Sequence, residues 1–240
     1  CELAYRWFSP PGAAVLDPFA GGSVRGIVAA ALGRRYTGVD LSAPQITANR
    51  QQWDDIGPVL LREIKAHPPV WITGDSTDAQ ELAPGEYDLV FSCPPYASLE
   101  RYSDDPADIS TMDYPGFLAA YQRIIAQATA MLKPDRFALF VVGDIRDKAG
   151  NYRAFVADTV AAFRDAGLAL YNDAVLVTSV GSLPLRAGKQ FAATRKLGKT
   201  HQNVLVFLKG DARKATEACG HVEVELPEMG TDEETGDVSE

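Results

Sequence analysis

Short apolar runs, bounded by glycine, proline and acidic residues, alternate along most of this 240-residue chain with stretches whose apolar residues recur every three or four positions. Near-continuous apolar runs are what strands buried on both faces require, and the intervening 3.6-residue period is that of helices laid over a sheet. The pattern predicts strands at residues 14–17, 36–40, 70–73, 87–92, 137–142, 168–178 and 204–208. Helices are predicted at 23–32, 43–54, 114–132 and 153–166, with a shorter one at 59–66. Strand and helix alternating in this order imply an α/β fold, a seven-stranded mostly parallel sheet with helices on both faces. Local signals agree. Ser42 ahead of Pro44 is a helix start, and Gly167 after Arg164-Asp165-Ala166 is a helix stop.

Two connections, 97–113 and 180–201, are long for simple turns and point to functional loops. The formal charge of −9 is concentrated at one end: residues 211–240 hold ten acidic and two basic residues, which leaves 22 acidic and 21 basic in 1–210. The expected organisation is therefore a domain at 1–210 followed by an acidic, disordered tail at 211–240, either a solvated terminus or a mimic of nucleic acid. No apolar run is long enough to span a membrane. Cys1, Cys93 and Cys219 show neither pairing nor metal spacing, so a cytoplasmic setting without a metal is expected. The chain begins at Cys1 instead of Met, which suggests a fragment.

The ends of the predicted strands carry the chemistry. Val15-Leu16-Asp17-Pro18-Phe19-Ala20-Gly21-Gly22 is a strand ending in an acid, then a glycine turn leading into a helix. Such a turn opens a nucleotide-binding βαβ unit, or is simply a tight connection; glycine lets a ligand approach the backbone. Asp40 ends the next strand 23 residues later, where an acid can accept hydrogen bonds from ribose hydroxyls, and Asp75 follows a third strand, where it can accept an adenine amine. Helix capping is the alternative for both. The glycines lack the spaced three-glycine fingerprint and no phosphate-binding Lys-Ser/Thr follows them, so a nucleotide without pyrophosphate is favoured over NAD or ATP.

The run Phe91-Ser92-Cys93-Pro94-Pro95-Tyr96 closes the strand at 87–92. Two prolines end the ladder, and an aromatic ring after them is placed to stack on a flat substrate. Together with Asp17-Pro18-Phe19-Ala20-Gly21-Gly22 it resembles the cofactor and catalytic motifs of the amino-group (N4-cytosine/N6-adenine) DNA methyltransferases, over roughly residues 1–210 and with the cofactor motif first. The resemblance implies a Rossmann-like class I methyltransferase fold and S-adenosylmethionine as cofactor. It implies cofactor binding by Asp17, Phe19, Ala20, Gly21, Gly22, Asp40 and Asp75, with Trp7 and Phe8 near the methionine moiety. Gly22-Ser23 stands where the family more usually has Ser-Gly.

In that family an Asp, Asn or Ser precedes Pro-Pro-Tyr and holds the amine of an extruded base; here Cys93, Pro94, Pro95 and Tyr96 would do so. The amine's lone pair is delocalised into the ring, so an acceptor must localise it and align it with the sulfonium methyl, and catalysis is largely positioning. Tyr96 would stack on the flipped base. Cys93 is the departure, since a neutral thiol is a weak acceptor. Three explanations stand open: backbone carbonyls at Cys93 and Pro94 hold the amine; Cys93 is a nucleophile for C5-cytosine chemistry; or another acceptor serves, or the protein is inactive. The serine-like context inclines the expectation to cytosine N4.

Between Gly181 and Asn203 lie Arg186, Lys189, Arg195, Lys196, Lys199 and His201 with no acidic residue, and with Phe191, Gly188 and Gly198 interleaved. This is either a phosphate-binding face for double-stranded DNA or a basic surface loop. Arg146 and Lys148 could add to that face, while Asp144 could either line the base pocket or cap a turn. Glu100, Asp104, Asp105 and Asp108 are expected in a solvated loop, with a catalytic carboxylate as the alternative. No large target-recognition domain fits in the chain, so sequence choice would fall to the long loops, an upstream segment or a recognition subunit. Restriction-modification, phage self-protection and regulation are all compatible. The rivals are methylation of RNA or of a protein glutamine amide, and a silent nucleic-acid-binding module.

Overall fold

The structure, a computed structural model, describes residues 1–63, 66–96, 102–103, 105–179, 181 and 183–222. In chain order its elements are α1 (Glu2–Phe8), β1 (Ala14–Asp17), α2 (Val24–Ala31), β2 (Arg35–Asp40), α3 (Ala43–Glu63), β3 (Val70–Thr73), α4 (Ala79–Leu82) and β4 (Tyr87–Ser92). Then come α5 (Tyr114–Met131), β5 (Leu132–Val142), α6 (Phe155–Asp165), β6 (Ala169–Val177), α7 (Leu183–Thr194), β7 (His201–Lys209) and α8 (Ala212–Cys219). The strands form one sheet in the order β3-β2-β1-β4-β5-β7-β6. Neighbours from β3 to β5 pair in parallel, and β7 is antiparallel to both β5 and β6.

This order places the carboxyl ends of β1, β2, β3, β4 and β5 on one edge. Because β7 runs the opposite way, the connection from β6 to β7 returns to that same edge. Chain order switches direction between β1 and β4, and open α/β sheets bind ligands in the crevice at such a switch point. One face of the sheet is covered by α4, α5 and α6, whose Phe117, Tyr121, Phe155 and Phe163 pack on Phe140 and Phe207. The other face is covered by α1, α2, α3 and α8, through Tyr5, Ala29, Ile46, Ala215 and Cys219. β4 is buried along its whole length, as a central strand covered on both faces must be.

The helix signals act through visible caps. Asp113 accepts the Gly116 N–H at 3.0 Å to start α5, with Pro115 in its first turn. Ser42 caps α3 through the Gln45 N–H, and Gly167 ends α6 at φ +87°. Several elements differ from the expectation. Helix α3 continues through Gly57-Pro58 where two helices were expected, with Gly57 packed against the Trp53 ring on the turn that Pro58 interrupts. Helix α1 was not foreseen, and α7 occupies part of the expected loop 180–201.

Residues just past 210 also form an element that was not expected. Asp211 caps α8 through the Arg213 and Lys214 N–H groups, and Ala215 and Cys219 bury their side chains beneath it, so the acidic segment opens with a packed helix. Residues 223–240, the rest of the expected disordered tail, lie outside the described residues. Among the described residues, no helix is long and apolar enough to cross a membrane, and no group of three or more His, Cys, Asp or Glu could hold a metal ion.

Candidate active site

The ends of four strands and the loops that follow them line one cavity of about 830 Å³ at the switch point. Its walls include Phe19, Gly21 and Gly22 after β1, Asp40 at the end of β2, Asp75 after β3 and Cys93, Pro94 and Pro95 after β4. The glycine turn and the double-proline motif, 71 residues apart, thus share one space. Gly21 has φ +49°, a conformation that disfavours any side chain, and a Cβ at Gly22 would meet nothing within 4 Å. The turn leaves an open approach to its backbone.

Asp40 holds the turn in place: one carboxylate oxygen accepts the Gly21 N–H and the other the Ser42 N–H, both at 2.8 Å. Asn49 of α3 donates to the Gly21 carbonyl at 2.7 Å from the opposite side. Asp75 accepts the Thr77 N–H at 2.8 Å, so the capping role weighed for it is present while it also faces the cavity.

Asp17 lies elsewhere. It is fully buried, and it accepts from Arg25 Nε at 2.5 Å, Tyr36 Oη at 2.8 Å, Ser92 Oγ at 2.5 Å and the Phe19 N–H at 3.2 Å. Neither Asp17 nor Ala20 lines the cavity; they form the floor of the turn. Arg25, on the first turn of α2, also donates to the carbonyls of Phe19 and Ala20. Burial works against the Arg25 charge, and Asp17 more than offsets it, holding the guanidinium above its usual pKa. The network ties β1, α2, β2 and the last residue of β4 into one unit directly beneath the turn and the double-proline motif. Sequence reasoning missed Arg25, although an arginine eight residues after a buried strand-end acid is a readable signal.

Burial pushes the Cys93 thiol up, an effect that nearby Arg25 partly opposes. A thiol so placed stays protonated at neutral pH, which disfavours the nucleophile explanation. Tyr96 follows the lining residues directly and packs beside the ends of β5 and β7. Gln202 of β7 donates to its phenol oxygen, and its ring meets Phe155 edge-on at 6.2 Å. A run of aromatic contacts, Phe19 to Tyr121 at 5.9 Å and Tyr121 to Phe155 at 5.2 Å, joins the cavity to that position.

The loop after Tyr96 is not simply solvated. Tyr102, Ser103, Asp105, Ala107, Asp108 and Ile109 form a wall of the cavity. Asp108 is buried, accepts from Ser103 Oγ and the Ser110 N–H at 2.8 Å each, and folds the segment into a turn. Burial raises its pKa, but those hydrogen bonds prevail and hold it below the usual carboxylate range. The Ser103, Asp108, Ser110 spacing is the signal that could have revealed this turn. Glu100 and Asp104 lie outside the described residues.

Trp7 is half exposed and Phe8 packs edge-on against Phe137, so neither reaches the cavity. Asp144 accepts the Val156 N–H near the start of α6, the capping alternative considered for it. Arg146 donates to the Gly150 carbonyl and lies over the Tyr152 ring. Of the basic segment, Lys189 is exposed on α7 and Arg195 covers the Phe191 ring at 5.0 Å. Lys196 reaches Gly150, and Lys199 lies 3.7 Å from the Asp144 carboxylate. The backbone of Arg186 is on α7; its side chain lies outside the description. This segment lies at the same carboxyl edge as the cavity, and Lys189, Arg195, Lys196 and Lys199 are not among its lining residues.

The fold defined by this sheet order and switch-point cavity is the class I methyltransferase fold. Solved structures share it at low identity. TrmN from Thermus thermophilus is 17% identical with a TM-score of 0.53, matching 83% of this chain and 45% of its own. A SAM-dependent methyltransferase from Methanosarcina mazei is 13% identical with a TM-score of 0.58, over 87% of this chain and 97% of its own. The magnesium protoporphyrin IX methyltransferase of Synechocystis, with bound SAH, is 15% identical with a TM-score of 0.54, over 83% and 75%. The chain thus spans less than half the length of TrmN. No protein-family model matches the sequence, and no curated protein matches it.

Proposed function

We propose that this protein transfers a methyl group from S-adenosylmethionine to the exocyclic amino group of a base flipped out of double-stranded DNA, with cytosine N4 favoured. The observation that carries the reading is the shared cavity, in which the glycine turn, Asp40 and Asp75 face the same space as Cys93, Pro94 and Pro95. Its charge adds support. Asp40, Asp75, Asp105 and Asp108 line it, and no Lys, Arg or His is among the described lining residues. An acidic wall repels phosphates and suits a nucleoside bearing a cationic sulfonium. At about 830 Å³ the cavity has the size of a small-molecule cofactor site. The structurally similar Synechocystis enzyme carries SAM or SAH in its solved forms.

S-Adenosylmethionine supplies the electrophilic methyl. The chain's own residues position. Asp40 would accept the ribose hydroxyls and Asp75 the adenine amine, while Gly21 and Gly22 leave room for the methionyl part. Asp17, held by Arg25, Tyr36 and Ser92, fixes the turn and acts as a positioning residue. Cys93 and Pro94 would offer carbonyls to the target amine, and Tyr96 a face for the base. Direct displacement needs alignment, an acceptor that localises the amine lone pair and release of one amine proton to water, so a thiol in place of a carboxylate, amide or hydroxyl at position 93 is compatible with turnover. Arg186, Lys189, Arg195, Lys196 and Lys199, on the β6–β7 connection, would contact DNA phosphates.

Incubation with labelled S-adenosylmethionine and duplex DNA, followed by nucleoside mass spectrometry, tests this. A methylated exocyclic amine is expected, and it disappears in Tyr96→Ala while cofactor binding remains. Label in RNA or in a glutamine amide alone, or C5-methylcytosine, would replace the reading.

A further inference from the structure

Tyr96 does not stand alone at the end of its motif. Gln202, the second residue of β7, donates from Nε2 to the Tyr96 phenol oxygen across 106 residues of sequence. The two converge over Gly143 at the end of β5: a Cβ built there would lie 3.6 Å from Gln202 Cγ and 3.7 Å from Tyr96 Oη. Phe155 meets the ring edge-on from the α6 side. Gln202 is held in turn by β7, which pairs with β5 through Asn203 and with β6 through Gln202 itself. The tyrosine leaves the sheet on a chain that two prolines have removed from the ladder, so its ring plane is set by side-chain contacts.

We infer that Gln202 is a positioning residue for base methylation, fixing the plane of the Tyr96 ring through its phenol oxygen so that the stacked base presents its amine to the cofactor. The inference rests on the function proposed above. Gln202 need not touch the substrate. Its effect passes through one oxygen atom, and removing that oxygen should make Gln202 irrelevant to the rate.

The experiment is a double-mutant cycle on methyl transfer to duplex DNA, with cofactor affinity followed by calorimetry. Gln202→Met keeps length and volume without the donor, and Tyr96→Phe keeps a ring to stack. Gln202→Met should lower kcat about tenfold, as loss of orientation does, with S-adenosylmethionine affinity unchanged. In the Tyr96→Phe background the same change should lower kcat less than about twofold, the non-additivity of two groups acting as one. An equal loss in both backgrounds, or none in either, overturns the positioning role while leaving the proposed function standing. A wild-type protein that binds the cofactor yet methylates no DNA overturns the function, and this inference with it.

Discussion

Replacing Arg25 by methionine should be among the most damaging single changes near the cavity. Its guanidinium contacts the Asp17 carboxylate at 2.5 Å, with the arginine side chain 14% exposed and the aspartate 0%. Removing one partner of a buried pair leaves an uncompensated charge and costs about 3–5 kcal/mol. Tyr36, Ser92 and the Phe19 N–H still donate to Asp17, which favours the lower end. The freed carbonyls of Phe19 and Ala20 push the other way. For a chain of this size the loss corresponds to roughly 6–20 °C in melting temperature. Urea denaturation of wild type and Arg25→Met measures it directly. The double variant Asp17→Asn/Arg25→Met should recover part of the loss, because it removes the stranded charge. A single variant within about 1 kcal/mol of wild type, or a double variant no better than the single, would refute the claim that this ion pair fastens the cofactor turn.

Two further outcomes follow from the same site. Cys93→Ala should retain methyl transfer within about tenfold if backbone carbonyls hold the amine, whereas a nucleophilic thiol predicts complete loss; nucleoside mass spectrometry decides. Because burial raises the Cys93 pKa, its alkylation by iodoacetamide should be slow at neutral pH and should accelerate only above about 8.5, the ordinary thiol range. On the basic segment, Lys189→Gln with Arg195→Gln should weaken DNA binding at low salt for every duplex sequence and reduce the slope of log K against log salt by about 2. An unchanged slope in fluorescence anisotropy would remove these residues from the phosphate contacts.

Much of the fold is written locally. Strands β1 and β4 announce themselves as apolar runs because parallel strands buried on both faces admit few polar residues, and the ends of β1 to β4 are marked by Asp17, Asp40, the Gly74-Asp75 turn and Cys93-Pro94. What escaped depends on partners far away in sequence. Asp17 looks like a ligand-binding acid until Arg25, Tyr36 and Ser92 converge on it from three elements. Asp105 and Asp108 look solvated until the contact between Ser103 and Asp108 folds their segment along the cavity. Tyr96 meets Gln202 only because β7 reverses into the sheet beside β5.

Helix α8 was hidden by charge. Its acidic surroundings suggested a disordered tail, although Ala212, Ala215 and Cys219 keep a helical spacing behind the Asp211 cap. Helix α7 carried a similar signal in Leu183, Ala187 and Phe191, masked by the basic residues between them.

Calorimetric titration with S-adenosylmethionine tests the central claim, that the switch-point cavity takes a cationic nucleoside. One molecule should bind per chain, Asp40→Ala should weaken it by roughly 10–150-fold, the worth of a charge-assisted hydrogen bond of about 1.5–3 kcal/mol, and ATP should not bind. No heat with S-adenosylmethionine, or equal affinity for ATP, would contradict the account.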